Sequence, residues 1–257
     1  MTNTTLYFFQ DTFSMFRRSM KHFFRSIDTI ITVCIMPISI MILMVYVFGG
    51  ALGGQMSRAE YIEYSLPGIL LIAAASSVAY TSVRVFEDVK NGFFDRLKSM
   101  PVSASAALWA HVLTSLVSTF LTLGMVVFAA FLIGFRTSAG IRNGLGIAGI
   151  MAIFTLALTW IALLAGLKAS TAEGAGAFSY PLIFLPFISS AFLPTETMPS
   201  FLRGFAEHQP VTTVVESLRS IFMSETVGSE IWMALAWCVG IMMIAHFIAA
   251  KIYQKKA

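Results

Sequence analysis

The chain has 257 residues, of which 57% are hydrophobic and only 12% carry a charge. Soluble domains average about 25% charged residues, so half that share leaves a water-soluble enzyme without enough polar surface. Intrinsic disorder is excluded because 23 Phe and 15 Met supply far too much apolar area to remain in water. The net charge of +4 matters through its distribution, and we expect no nucleic-acid partner. The composition predicts a polytopic membrane protein.

The first predicted element is an amphipathic N-terminal helix over residues 1–28. Phe9, Phe13 and Phe16 recur at helical spacing, and Arg and Lys side chains occupy the other faces. A basic amphipathic helix lies flat among lipid headgroups, so membrane lipid is its expected partner. An export signal built on the twin arginines is disfavoured, because the next apolar run is of full span length and lacks a small-residue cleavage site.

Six apolar runs follow, each near the length of about 20 residues that a helix needs to cross the hydrocarbon core. No Asp, Glu, Lys or Arg falls inside them. Pro37, Pro181 and Pro186 predict kinks in the first and fifth runs. The sequence therefore predicts an all-α membrane protein with one transmembrane domain over residues 1–257 and six transmembrane helices at 29–49, 64–83, 106–134, 144–167, 175–194 and 231–250.

The basic residues set the expected orientation. With the N-terminus inside, 12 of the 17 Lys and Arg residues fall on the cytoplasmic side of six spans, as the positive-inside rule favours. Arg136 and Arg142, in the loop between spans three and four, run against the rule. Both termini are therefore expected in the cytoplasm.

Between spans two and three the sequence predicts one amphipathic helix over residues 86–100, which Pro101 ends. Phe86, Phe93 and Leu97 share an apolar stripe, and side chains of both signs occupy the rest. Mixed charge suits a groove on a protein better than an anionic lipid surface, for which a purely basic face is typical. The segment is a candidate docking helix for a cytoplasmic protein, and a helix that only rests on the membrane is the alternative.

The segment 195–226, between spans five and six, is apolar but is not predicted to span the membrane. Pro199 and Pro210 divide it into two apolar stretches that are too short and too charged to cross a bilayer. We therefore expect two short re-entrant helices that dip into the outer membrane boundary.

Motifs for chemistry are missing from the sequence. It contains no Walker A motif, and the GxGxxG match at 144–149 opens an apolar span rather than following a strand. Cys34 and Cys238 lie inside apolar runs, so no metal site is expected. We interpret His111 and His246 as packed or interfacial imidazoles, with substrate contact as the alternative. No catalytic, cofactor-binding or metal-binding residue is predicted.

The absence of charged residues in the spans also limits how the protein could obtain energy for transport. An ion-driven carrier usually needs charged residues at membrane depth to bind its coupling ion, so that class is disfavoured. If the protein moves a substrate against a gradient, the energy must come from another chain at the cytoplasmic face. The 86–100 helix is the natural contact for that chain.

Two regions carry motifs in a specific order. The first contains Phe86-Glu87-Asp88, Gly92-Phe93-Phe94-Asp95-Arg96-Leu97 and Ser99-Met100-Pro101-Val102-Ser103, and the second contains Pro194, Glu196, Met198-Pro199, Leu202, Gln209-Pro210, Glu216 and Arg219. Together with the span count, they resemble the permease subunits of type-2 ABC exporters, of the daunorubicin-resistance and nodulation types. Gly92-Phe93 replaces the usual Gly-Thr and Gln209 the usual Asn, so the subfamily stays open.

The resemblance implies a transport subunit, not an enzyme, in a bacterial-type plasma (inner) membrane. It would pair with a second copy or a close paralogue and with two ABC ATPase subunits, which would bind ATP and magnesium in place of any cofactor on this chain. The substrate would be an amphipathic drug, a lipid or a glycan-type molecule, passing between spans one, two and five of the two permeases.

The resemblance also implies roles for residues. The ATPase-coupling set would be Glu87, Asp88, Gly92, Phe93, Asp95, Arg96, Leu97 and Lys98. The outer re-entrant region would close the outer side and would include Pro194, Glu196, Met198, Pro199, Pro210, Glu216 and Arg219. The alternative function is a membrane scaffold or assembly protein that holds a partner other than an ATPase. Dependence of a partner's ATP hydrolysis on the 86–100 helix distinguishes the two.

Overall fold

The computed structural model describes residues 2–49, 56–98, 104–137, 140–223 and 228–256. Within these ranges, side chains are described except at 2–7, 28, 95, 97, 98, 104, 105 and 253–256. Across the described ranges the chain is helical and contains no strand, which confirms the all-α prediction.

The helices are α1 (Thr2–Arg25), α2 (Ile27–Ile42), α3 (Arg58–Lys90), α4 (Phe93–Lys98), α5 (Ala104–Ile133), α6 (Ile141–Lys168), α7 (Ala172–Ala177), α8 (Ser179–Phe184), α9 (Ser200–His208), α10 (Pro210–Phe222) and α11 (Glu230–Lys256). After Pro37, α2 continues as a π-helical stretch, Leu43–Phe48. Short 3-10 turns cover Leu185–Ile188 and Thr195–Thr197.

Local signals in the sequence set the ends of the long helices. α3 begins at a capping box, in which Ser57 Oγ accepts the Glu60 amide and the Glu60 carboxylate accepts the Ser57 amide at 2.6 Å. α3 ends before Gly92, whose φ is +66°, and α5 ends before Gly134, whose φ is +120°. Residues with a side chain rarely adopt these backbone angles, so glycine is required at both turns.

Five helices in the described residues are long and apolar enough to cross a membrane, namely Thr29–Phe48, Arg58–Lys90, Ala106–Ile133, Ile141–Lys168 and Glu230–Ile252. The run predicted as a fifth span over 175–194 differs. It forms a broken apolar segment, Ala172–Ile188, in place of one long helix. The chain still runs along α3 here, from Ala175, whose carbonyl accepts Ser82 Oγ, to Ala191 beside Gly68.

The physical reason for this shorter segment lies in its prolines and one serine. Pro181 and Pro186 each lack an amide donor, so the helix loses hydrogen bonds there. Ser189 Oγ then donates to the Pro186 carbonyl at 2.7 Å and accepts the Ala191 amide at 3.1 Å. These side-chain bonds replace the next helical turn, and the chain bends away at Ser189.

α3 is the central helix of the bundle. In its most apolar window 72% of the residues are buried inside the chain, against 17% in the last span. It contacts α2, α5, α6, α7, α8 and α10. Two glycines allow the closest approaches, because a Cβ on Gly166 would lie 2.5 Å from Ser82 O and one on Gly68 would lie 2.5 Å from Ala191 Cβ. α6 and the chain just after the broken segment therefore rest directly on α3.

Two apolar clusters form the interior of the described chain. The larger one follows α3 from Tyr61 to Val78 and includes residues of α5, α6 and α10. The smaller one lies where α3 leads into α4, and we call this the turn end of the bundle. The turn-end cluster contains Val85, Phe94, Ala107, Leu108, Val112, Trp160, Leu163, Leu167, Ala245 and Ala249.

α1 lies along α5 and contacts the start of α2. Met20 and Phe23 are buried, whereas Phe9, Phe13 and Phe24 are exposed beside the basic residues. This division of faces is the one expected for an interfacial helix. The helix of Thr2–Arg25 lies within the 1–28 segment where the sequence predicted it.

Candidate functional site

The segment predicted as one docking helix over 86–100 is divided in two. Phe86 to Lys90 belong to the last turns of α3, and Phe93–Lys98 form the separate short helix α4. The break lies at Asn91 and Gly92, where the Asn91 amide donates to Glu87 O at 2.8 Å and the Gly92 amide to Val89 O at 3.2 Å. A regular apolar stripe can continue across such a turn, so periodicity alone did not reveal it. Residues 99–101 lie outside the described chain.

Of the two aromatic side chains of α4, one is buried in the bundle and the other is only partly buried. Phe94 is 9% exposed and packs into the turn-end cluster with Val85 and Leu108. Phe93 is partly buried, and its ring centroid lies 4.4 Å from the guanidinium carbon of Arg18 on α1. Arg96 is exposed on the surface of α4. Phe94 therefore anchors α4 to the bundle, and Arg96 of the same helix is exposed.

The predicted coupling residues take different positions in the structure. Glu87 is exposed at the end of α3, Gly92 makes the turn, and Phe93 packs beneath Arg18. Asp88 is partly buried, and its carboxylate contacts side chains of α5 and α1. Asp95, Leu97 and Lys98 belong to α4, but their side chains lie outside the described part of the structure.

Asp88 is the centre of a polar group that sequence reasoning missed. Its Oδ2 lies 3.0 Å from His111 Nε2 on α5, and its Oδ1 lies 3.7 Å from Arg18 Nη2 on α1. His111 is only 4% exposed, so the prediction of a packed imidazole agrees with the structure. The acidic partner of His111 comes from the neighbouring helix α3, so no pattern within the span that contains His111 indicates it.

A second contact binds α1 to α3 at the turn end. Arg84 Nη2 donates to the Ser19 carbonyl at 3.0 Å, and its guanidinium carbon lies 5.7 Å from the Tyr80 ring centroid. A polar cleft of about 250 Å³ opens beside this contact and is lined by residues of α1 and α3 with Ser26 and Asn91. α1, the end of α3, α4 and the start of α5 thus form one connected surface.

The other end of the bundle, where α10 meets the start of α3, is the far end. There Arg219 is 8% exposed, and its Nη2 donates to Ser190 O at 2.7 Å and to Tyr64 O at 3.2 Å. Its Nη1 donates to Glu216 Oε1 at 2.8 Å. Gln209 Nε2 donates to Ile188 O at 2.6 Å. Both side chains bind α10 to the end of the broken segment.

The remaining residues predicted for the outer region do not join this contact. Pro194, Glu196 and Pro199 are exposed, whereas Met198 and Pro210 are partly buried. Two short helices, α9 and α10, form the region as predicted, and residues 224–226 lie outside the described chain. On α9, Glu207 accepts from Arg203 Nε at 2.7 Å, and this hydrogen bond raises the pKa of Arg203.

His246, the other intramembrane histidine, packs in an aromatic setting. Its ring lies 4.3 Å from the Trp160 ring in an edge-to-face arrangement, and Trp160 lies 5.7 Å from Trp109. These residues come from α11, α6 and α5. The contact fits the predicted packed imidazole.

Comparisons with known proteins agree with this architecture. The family model for ABC-2 type transporters matches residues 10–223. The chain is 28% identical over 234 residues to the daunorubicin resistance ABC transporter permease protein DrrB1 of Streptomyces coeruleorubidus, with 88% of this chain and 80% of that protein covered. It is 23% identical over 254 residues to the Probable doxorubicin resistance ABC transporter permease protein DrrC of Mycobacterium tuberculosis, with 98% and 91% covered.

The family match covers both motif regions, and it confirms the resemblance on which the sequence prediction rested. The two relatives are named as permease proteins of ABC transporters. The five long apolar helices are those of a multi-pass membrane protein. The chain belongs to the ABC-2 type transporter family, as a membrane permease subunit.

Proposed function

We propose that the chain is the permease of an ATP-driven exporter in which α4 and the preceding turn seat on an ABC ATPase. The observation that carries this proposal is the anchoring of α4. Phe94 fixes it in the turn-end cluster, while the face with Arg96 stays accessible. A short helix that is rigidly attached at its base transfers an applied displacement to the helices it packs on.

In this proposal two ATPase subunits serve two permeases, and the second permease is another copy or a paralogue. ATP and magnesium bind the ATPases. Both termini and the turn end lie in the cytoplasm, and the re-entrant helices α9 and α10 lie at the outer side of a bacterial-type plasma membrane. The basic residues of α1 support this orientation, since anionic lipid is concentrated on the cytoplasmic leaflet.

For the substrate we propose an amphipathic, largely apolar molecule, either a drug or a lipid-like compound. The relatives named above carry daunorubicin and doxorubicin resistance in their names. In this chain, α2 and α8 present exposed apolar and aromatic side chains such as Ile35, Tyr46, Tyr180 and Phe184. A path between two permeases that is lined by these helices would be apolar with few charges, which favours aromatic rings over small ions.

The test is affinity purification of the tagged chain from its native membrane in mild detergent. We expect a stoichiometric ABC ATPase to co-purify, and we expect Arg96→Glu to reduce its recovery because an exposed positive charge on α4 becomes negative. Arg142→Glu is the matched control, since Arg142 is also exposed but begins α6 at the opposite end of the bundle. Leu97→Asp, on the same short helix as Arg96, should act like Arg96→Glu.

Two outcomes contradict the proposal. One is a chain that purifies intact without any ATPase, which would favour the scaffold function. The other is full recovery of the ATPase with both α4 variants, which would place the docking surface elsewhere on the chain.

A further inference from the structure

The carboxylate of Asp88 is engaged by two other helices of the same chain. Oδ2 contacts His111 Nε2 on α5 at 3.0 Å, and Oδ1 faces Arg18 Nη2 on α1 at 3.7 Å. Asp88 lies two residues before the end of α3 and four residues before Gly92. A group beside the docking turn therefore ties α3 to α5 and to α1.

The two contacts of Asp88 differ in how strongly they hold the helices together. The His111 side chain is 5% exposed, whereas that of Arg18 is 51% exposed. A buried ring nitrogen that loses its partner cannot find water, so its hydrogen bond is expensive to break. An exposed ion pair is screened and contributes little. The contact with His111 is therefore the one that fixes α3 to α5.

We propose that Asp88 and His111 are a positioning pair that makes α5 follow the ATPase-docking turn. This rests on the proposed function of that turn. The amides of Asn91 and Gly92 are bonded to Glu87 and Val89, so the last turn of α3 moves with the docking turn. Asp88 lies in that turn of the helix and passes the displacement to His111 on α5.

The pair does not require a charged imidazole. Nε2 is the ring nitrogen that faces the carboxylate, and it donates a hydrogen bond both in the protonated ring and in the neutral tautomer with hydrogen on Nε2. Glutamine can replace His111 as a donor, because the glutamine side-chain amide also carries N–H groups. Leucine fills similar space without a donor and leaves Asp88 Oδ2 without its partner on α5.

A second polar contact between the same two helices supplies a matched control. Thr119 Oγ1 on α5 donates to Ser77 Oγ on α3 at 3.0 Å, and both side chains are buried. Ser77 precedes Asp88 by eleven residues, about 16 Å along the helix. Ser77→Ala removes an α3–α5 hydrogen bond in the bundle interior without touching the docking turn.

The experiment uses the permease–ATPase complex in lipid nanodiscs and measures how far α5 moves when ATP and vanadate are added. Spin labels are placed at Val117→Cys on α5 and Met243→Cys on α11, both at exposed positions, with Cys34 and Cys238 replaced by Ala. ATP hydrolysis and ATPase recovery are measured on the same samples. This readout needs no knowledge of the substrate.

We expect His111→Leu to keep the ATPase bound and hydrolysing ATP while the ATP-induced population of the shifted label distance falls at least about fivefold, the low end of coupling between sites. His111→Gln and Ser77→Ala should keep the shift. A full shift in folded His111→Leu, or equal loss in Ser77→Ala, overturns the pair as a positioning device while the proposed function stands. Failure of the unmodified chain to bind an ATPase overturns both.

Discussion

The guanidinium carbon of Arg219 lies 3.8 Å from the centroid of the Tyr64 ring, so a cation of α10 stacks on α3 at the far end of the bundle. The same side chain donates to the carbonyls of Tyr64 and Ser190 and to the Glu216 carboxylate. Arginine suits this position, because its planar fork reaches several acceptors while one face stacks on a ring. Arg219 joins three parts of the chain that are distant in sequence.

We expect Arg219→Gln to destabilise the protein by about 3 kcal/mol. Removing one partner of a buried ion pair costs about 3–5 kcal/mol, and the lower value applies because Glu216 is a third exposed. Thermal unfolding can be followed with a thiol-reactive dye, since Cys34 and Cys238 are both buried in the folded chain. The apparent unfolding temperature should fall by several degrees.

Arg203→Gln provides the control for Arg219→Gln, because it removes the same charge from an exposed pair on α9. Exposed pairs contribute little, so its unfolding temperature should stay near that of the unmodified protein. Equal losses in both variants would show that Arg219 does not fasten the far end.

We expect Gly166→Ala to weaken the contact between α6 and α3. The added Cβ would lie 2.5 Å from Ser82 O and 2.9 Å from Val85 Cβ, so the backbones must separate. Overpacking of this kind costs about 1–3 kcal/mol. A Cβ added at Gly124 on α5 would meet no heavy atom within 4 Å apart from the backbone of its own helix. Gly124→Ala should therefore be neutral or stabilising, because alanine favours a helix by up to about 1 kcal/mol.

The measurement for the glycine pair is the same thiol-dye unfolding curve, recorded for each variant in one detergent. Both substitutions add one methyl group. A lower unfolding temperature in Gly166→Ala but not in Gly124→Ala would therefore be due to the close approach of α6 and α3. A stable Gly166→Ala protein would mean that α6 and α3 can separate there at little cost.

Phe94→Ala should loosen α4 without unfolding the bundle. Truncating a buried Phe costs about 3–5 kcal/mol, and α4 is too short to persist without that packing. Hydrogen exchange of peptides that cover residues 86–98 should accelerate at least tenfold, while exchange in α3 before Ser82 stays unchanged. Phe201→Ala on α9 is the control, since Phe201 is 78% exposed. Unchanged exchange in Phe94→Ala would disprove the anchor.

The orientation can be tested with single cysteines at the two ends of α6. In a background with Cys34 and Cys238 replaced, we expect a membrane-impermeant maleimide to label Arg142→Cys in intact cells and to label Lys168→Cys only after lysis. Both positions are exposed in the structure, so accessibility of the side chain does not limit the reaction. The reverse labelling pattern would place the docking turn outside and contradict the proposed function.

Several features were predictable because they depend on residues close in sequence. The apolar runs of α2, α3, α5, α6 and α11 each reach or exceed the thickness of a bilayer core, so length and composition alone identified them. Pro199 and Pro210 likewise marked the starts of α9 and α10. In the fifth run Pro181 and Pro186 predicted kinks, but hydropathy could not indicate that Ser189 bonds to the Pro186 carbonyl and to the Ala191 amide.

The amino-acid sequence by itself determined the class of protein, the long apolar helices and the family motifs, because each follows from local composition or order along the chain. Only the tertiary structure decided that Asp88 faces His111 and that Arg219 reaches Ser190 and Tyr64. Those partners are 23, 29 and 155 residues apart, and no periodicity links them. Packing of α5 and α10 against α3 brings them together, because a buried polar side chain binds whichever neighbouring helix offers a complementary group.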